Sequence, residues 1–224
     1  MENTGQFSPI RGRGTQVLFI HVCGSTELGL CISDSDIDLV SIINVDRNTF
    51  FTAFSEYLRD KPKISYIHIV RATVPLLKIV IEEVDVDLLC VQWPSPKIPT
   101  RADFLDLNIF RGLDEPSITS LQGLTTCCHV LDAIPDITVF RTVLHVIRLF
   151  CQSRCIYSSA LGFWNGVTCA LLVSKICINN PDNDAIENLK EFFATYAQWS
   201  WFKPIEWQPR DDGSAFDIWK PNTI

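Results

Sequence analysis

Hydrophobic and polar positions give the chain two textures. From Val17 to Val91 the apolar residues come in short runs or alternate with polar ones, and beyond Ser117 they recur at helical spacing. Val17–Cys23 is a β-rich apolar run that ends in Gly24-Ser25, and Ile37–Ile43 alternates with a period of two, which predicts a strand. Ser65–Val70, Pro75–Ile81 and Val84–Val91 predict three more strands. Between them Asn48–Asp60 sets Phe50, Phe51, Phe54, Tyr57 and Leu58 at helical spacing, with Asn48 as its N-cap. At 93–100 the run WPSPKIPT holds three prolines and reads as a connector. After it come four predicted helices: Ser117–Ile134, Asp136–Cys155, Ser158–Ile178 and Asp184–Trp199. The second carries Phe140, Val143, Leu144, Ile147 and Phe150 as one stripe, and the third is apolar nearly all round, as a buried helix is. The tail from Pro204 has little periodicity and reads as irregular. The expected fold class is α+β: a mixed sheet with flanking helices over 1–98, a helical domain over 99–207 that closes a cleft, and a tail over 208–224.

Composition narrows the possibilities. With 224 residues, 47% hydrophobic and 20% charged, the chain can bury a sizeable core. Its net charge is −7, so it does not hold nucleic acid by bulk electrostatics, and a nucleic-acid role needs a local basic groove, a metal or a partner. No apolar run approaches the ~18 residues of a transmembrane helix, and MENTGQFSPIRGRG is not a secretory signal. No membrane partner is expected. The nine cysteines are scattered, and most sit in apolar runs, which predicts buried reduced thiols. No histidine pair completes a zinc site with Cys151 and Cys155.

The densest chemistry lies in CGSTELGLCISDSDIDLV. A Gly24-Ser25 turn after a strand can point backbone N–H groups at a phosphate. After ten intervening residues, Asp36-Ile37-Asp38 places both carboxylates on one side of an alternating strand. VDVDLL repeats the arrangement with Asp85 and Asp87. If the two strands are neighbours, the acids converge beside the turn and repel one another unless cations neutralise them. Two divalent ions there would support an in-line phosphoryl displacement. A calcium loop is excluded, because Leu39 and Val45 stand where it needs glycine and glutamate. Asp34 and Asp85 read as exposed neighbours, and Lys78 in VPLLKIV reads either as lining the cleft, the favoured placement, or as facing water.

Gly-Ser, ten residues and Asp-Ile-Asp together resemble the nucleotidyltransferase superfamily. The runs VPLLKIVIEEVDVDLLCVQ (74–92), SLQGLTTCCHVLDAIPD (120–136), FRTVLHVIRLFCQSRCIYSSALGFWNGVTCALLVSKIC (140–177) and EFFATYAQWSWFKPI (191–205) are similar to eukaryotic nuclear poly(A) polymerases, in the same order, over roughly residues 17 to 207. The resemblance implies transfer of AMP from ATP to an RNA 3′-end with release of pyrophosphate. It implies Mg²⁺ or Mn²⁺ as cofactor, held by Asp36, Asp38 and Asp87, and Gly24 and Ser25 as triphosphate contacts. By position it assigns Tyr157, Gly166 and Val167 to the nucleotide. It implies a nuclear location and cleavage and polyadenylation factors as partners, although no basic localisation cluster is present.

The departures from the family pattern cluster in the nucleotide pocket. Arg148 stands for a lysine, Gln122 and Ser159 each for an asparagine, Asn165 for the first glycine of a pair, and Thr26 and Glu27 for an aromatic and an arginine. A serine cannot make the two-sided contact of an amide, so weakened ATP binding or relaxed base choice is expected. Family members also carry a longer amino-terminal segment and a C-terminal RNA-binding domain, and this sequence ends at Ile224 without it. Two alternatives follow: a catalytically impaired paralogue or fragment acting as a binding module, and a nucleotidyltransferase with another nucleotide or acceptor.

Overall fold

The apolar run ending at Gly24 forms β1 (Val17–Cys23), and the alternating run forms β2 (Ile37–Ile43). In this computed structural model the described residues are 17–29, 36–200, 205–209 and 215–217. Between the strands lies a one-turn helix, α1 (Gly24–Glu27). The helix predicted at 48–60 is α2 (Arg47–Arg59), and its cap is Asp46 rather than Asn48: the Asp46 carboxylate accepts the Thr49 N–H at 2.9 Å. Both residue types cap helices, and the aspartate sits two residues before the predicted cap. Three strands follow, β3 (Ile64–Val70), β4 (Leu76–Ile81) and β5 (Val84–Gln92).

These strands form one five-stranded sheet in the order β1-β2-β5-β4-β3. β2 and β5 pair in parallel and the other neighbours are antiparallel. One face packs on α2: Ile43, Leu77, Ile79, Val86, Leu88 and Cys90 meet Phe50 and Phe51, all buried. The other face is buried only toward one end, where Val40, Ile42 and Val91 meet Phe104, Ile109, Leu121, Leu124 and Cys128. Phe104 and Ile109 come from short 3-10 turns that the sequence did not announce, and the last three from α3 (Glu115–Ala133). This packing corrects the expected boundary at 98/99. The residues after the proline connector return to the sheet, and the chain divides instead into a unit up to His129 and a unit from Val130.

The second unit contains α4 (Ile137–Ser153), α5 (Gly166–Asn179) and α6 (Ala185–Ala197). Asp136 caps α4, and Asp184 with Glu187 forms a capping box at α6. The continuous helix expected over 158–178 is broken. Gly162 takes a positive φ of 79° after a 3-10 turn, and Asn165 caps α5 by accepting the Thr168 N–H at 2.8 Å. A glycine in that conformation ends a helix, and apolar content alone did not mark the stop. Phe192 and Tyr196 are buried, and Tyr196 Oη donates to the Leu172 carbonyl at 2.9 Å, so these rings are packing. In the tail, β6 (Glu206–Pro209) and β7 (Ala215–Asp217) pair antiparallel, where an irregular segment was expected.

Candidate active site

Asp38 and Asp87 are direct partners in the parallel β2–β5 pair. Their register extends across the sheet: Cys23 faces Asp38, Asp87 faces Lys78, and Lys78 faces His68. In-register neighbours share a face, so the row Cys23, Asp38, Asp87, Lys78, His68 lies on the side of the sheet opposite α2. Asp36, exposed, precedes β2 on the same side by its period of two. The three acids that the sequence singled out are therefore brought together.

The electrostatics follow from this geometry. Partial burial pushes the Asp38 carboxyl up to about 6, Asp87 and then Asp36 push it further in the same direction, and only Lys78 opposes them. Lys78 Nζ lies 3.3 Å from one Asp87 oxygen and 3.4 Å from the other, and this hydrogen bond holds the ammonium above its ordinary value. Lys78 thus lines the acid cluster. This is the placement that the sequence favours over one facing water. One ammonium against three carboxylates leaves an excess of negative charge, which is the donor chemistry of hard divalent cations. Among the described residues no group of three His, Cys, Asp or Glu side chains is placed to hold a metal ion as the chain stands. The carboxylates have the chemistry of cation donors, and Lys78 is paired with Asp87 in their midst.

Gly24 borders this cluster. Its φ is +64°, and a β-carbon built on it would collide with Asp38 Oδ2. Glycine is required twice there, by the left-handed backbone and by the close approach. The Gly24 carbonyl accepts from Cys127 Sγ on α3 at 3.7 Å. Ser25 is half-buried beside Gly24 in α1, which also holds Thr26 and Glu27. Burial pushes the Cys127 thiol up to about 12, so it stays protonated. The buried cysteines are free, as expected; Cys31 and Asp34 lie outside the described residues. Gln122 is exposed on α3 in this same unit.

The remaining candidates sit in the second unit. Arg148 is 8% exposed, with its guanidinium carbon 5.5 Å from the Tyr157 ring centroid. The hydroxyl of Tyr157 lies 3.1 Å from where a Gly166 β-carbon would stand. Burial raises the Tyr157 hydroxyl above its ordinary value against the pull of Arg148. Val167 is exposed at the start of α5, and Ser159 is exposed at the start of the 3-10 turn before it. The structure brings Arg148, Tyr157 and Gly166 together. Asn165, noted in the sequence only as a departure, has a structural task as the α5 cap.

Comparison with known proteins matches residues 13–134 to the poly(A) polymerase nucleotidyltransferase domain and residues 139–224 to the poly(A) polymerase central domain. Poly(A) polymerase PAPalpha of Candida albicans is 32% identical over 202 residues, which cover 88% of this chain and 36% of that protein. Poly(A) polymerase pla1 of Schizosaccharomyces pombe is 31% identical over 206 residues, covering 90% and 36%. The chain thus spans little more than a third of the length of these relatives. Among solved structures, the Cid1 RNA terminal uridylyl transferase superposes with a TM-score of 0.59 at 15% identity, covering 92% of this chain and 67% of that one. The polymerase core of the TRAMP RNA surveillance complex gives 0.52 at 18% identity, covering 87% and 55%. At such identities these two speak for the fold alone.

Proposed function

The chain belongs to the poly(A) polymerase family, and from that premise we propose that it transfers AMP from ATP to RNA 3′-ends. The observation that carries the reading is the in-register pair Asp38 and Asp87, with Asp36 before it and Gly24 pressed against it. In this reaction the primer 3′-oxygen forms a bond to the α-phosphorus of ATP, and the bond to the leaving pyrophosphate breaks. Nucleotidyltransferase polymerases generally use divalent metals, and Mg²⁺ or Mn²⁺ is the cofactor proposed here. Asp36, Asp38 and Asp87 would hold the cations, which when bound activate the attacking hydroxyl and stabilise charge on the pyrophosphate. Among the described residues Lys78 is the cation paired within these acids, and its ammonium can offset charge at Asp87 or turn to a phosphate. Gly24 lets the backbone of α1 approach where a side chain would block. Arg148 and Tyr157 offer a charge and an aromatic face for a nucleotide.

The direct test is extension of an oligo(A) primer with Mg²⁺ or Mn²⁺ and each nucleotide in turn, against an Asp36→Ala, Asp38→Ala control. ATP-dependent extension lost in the control supports the reading; no extension at high primer and Mn²⁺ overturns it in favour of a binding module. The exposed Ser159, where the family has an amide, favours relaxed choice among nucleotides. Comparable incorporation of all four supports relaxation, and strict ATP preference with a low KM removes it. A nuclear location and cleavage and polyadenylation factors as partners are proposed on family resemblance alone.

A further inference from the structure

The sheet ends at β3, and along that strand runs a groove of about 720 Å³ lined by Ser55 and Arg59 of α2, by Tyr66, Ile67 and His68 of β3, and by Arg71. Three observations bear on its occupant. The first is charge: Arg59 and Arg71 line the groove and, among the described residues, no acid does, with Lys61 nearby in sequence and Lys63 paired with Glu82 at 2.7 Å, in a chain whose net charge is −7. The second is the exposed ring pair Tyr66 and His68, with centroids 6.2 Å apart at 36°. The third is continuity. His68 ends the register row that passes through Asp38, Asp87 and Lys78 on the face opposite α2, and the groove lining runs from it round the sheet edge to Arg59 on the α2 side. Three strand spacings of about 4.8 Å put His68 on the order of 14 Å from Asp38, a few nucleotides of single strand.

We propose that the β3 groove is a track for single-stranded RNA, holding the primer nucleotides that lie 5′ of the end presented to Asp38 and Asp87. This rests on the polymerase reading and extends it to the acceptor. Arginines along a groove with aromatic rings beside them are what an unpaired strand recognises: the guanidinium groups meet phosphates, and the rings stack on bases without regard to sequence. An acidic peptide would answer the charge but leave the ring pair without a role. The track supplies the local basic groove that an acidic chain needs to hold RNA.

The test is the affinity of the full chain for a labelled oligo(A) of about twelve nucleotides, measured by fluorescence anisotropy in EDTA over a salt series. Arg59→Gln with Arg71→Gln is expected to weaken binding about tenfold and to flatten the slope of log K against log salt by about 1.4, the value for two lost phosphate contacts to a single strand. Tyr66→Ala with His68→Ala is expected to weaken binding about tenfold with the salt slope kept. Arg59→Lys with Arg71→Lys should keep most of the slope, and thermal unfolding checks that each variant folds. The charge-matched control is Arg101→Gln with Arg111→Gln, two exposed arginines outside the groove. The ratio of affinity for the long oligo(A) to that for the dinucleotide ApA should fall in both groove variants. The track is overturned if the groove variants bind as the natural chain does, or if the control loses as much. It is also overturned if the groove variants lose an oligo-glutamate peptide and keep the RNA. A natural chain that extends primers while the groove variants bind normally removes the track and leaves the polymerase reading standing. A natural chain that neither extends nor binds RNA removes both.

Discussion

At the scale of single residues, Asp38 carries the sharpest conflict between stability and function. Its carboxylate faces Asp87 and lies within reach of Asp36, with Lys78 as partial relief. Asparagine keeps the shape and removes the charge. Asp38→Asn is therefore expected to raise the melting temperature of the metal-free chain at pH 7 by about 2–4 °C, which is about 1 kcal/mol at this size. The same change should lower primer extension by a factor on the order of 10²–10³ and abolish any rise in melting temperature on adding Mn²⁺. Differential scanning fluorimetry with and without Mn²⁺, beside the extension assay, reads all three. A variant less stable than the natural chain in EDTA would show that the cluster is not repulsive. Period-two alternation already placed Asp36 with Asp38 and Asp85 with Asp87. What it could not give was the partner strand, because β2 and β5 are far apart in sequence. The positive φ at Gly24 was equally silent, since a glycine in a sequence does not announce which freedom it uses.

Between elements, Arg47 is the clamp of the first unit. Buried at the start of α2, it donates to the Cys90 carbonyl of β5 at 3.3 Å, to both Asp114 oxygens at 2.9 and 3.1 Å, and to Ser117 Oγ of α3 at 2.7 Å. Arg47→Met leaves Asp114 without its partner and is expected to cost about 2–3 kcal/mol, the low end for a buried pair because Asp114 is partly exposed. The Arg47 hydrogen bond holds the Asp114 carboxyl below the usual aspartate range. The unfolded chain therefore takes up a proton first as pH falls from about 3.9, and the stabilisation is lost as pH drops through the lower folded value. Urea midpoints should rise as Asp38 protonates below about pH 6 and then decline below about pH 4, the decline being less steep in Arg47→Met; parallel declines below about pH 4 would remove Asp114 from the account. In the second unit, Asn165→Ala removes the α5 cap and should cost about 1 kcal/mol, measured by urea denaturation. The strands and most helices were legible within a few residues because their periodicities are clean. The break before α5 was not, because its signals, Gly162 and the Asn165 cap, sit inside an apolar run.

For the whole molecule, the two-part organisation was legible and its boundary was not. Three prolines at 93–100 look like a linker, yet α3 beyond them shares a core with β1, β2 and β5. Which side of a connector a helix packs on depends on apolar partners distant in sequence, and local pattern carries no record of them. The sheet order has a further consequence, in the time the chain takes to fold. β3, β4 and β5 follow one another and can zip as neighbouring hairpins, whereas β2 ends at Ile43 and its parallel partner begins only at Val84. Closing that loop carries the largest entropy cost within the sheet, which makes it the natural candidate for the rate-limiting event. It is also the event that sets Asp38 against Asp87. Refolding followed by stopped-flow fluorescence should therefore run faster in Asp38→Asn than in the natural chain, with an equal rate placing the barrier elsewhere. The strand pairing that assembles the acids is thus the one whose formation those acids oppose.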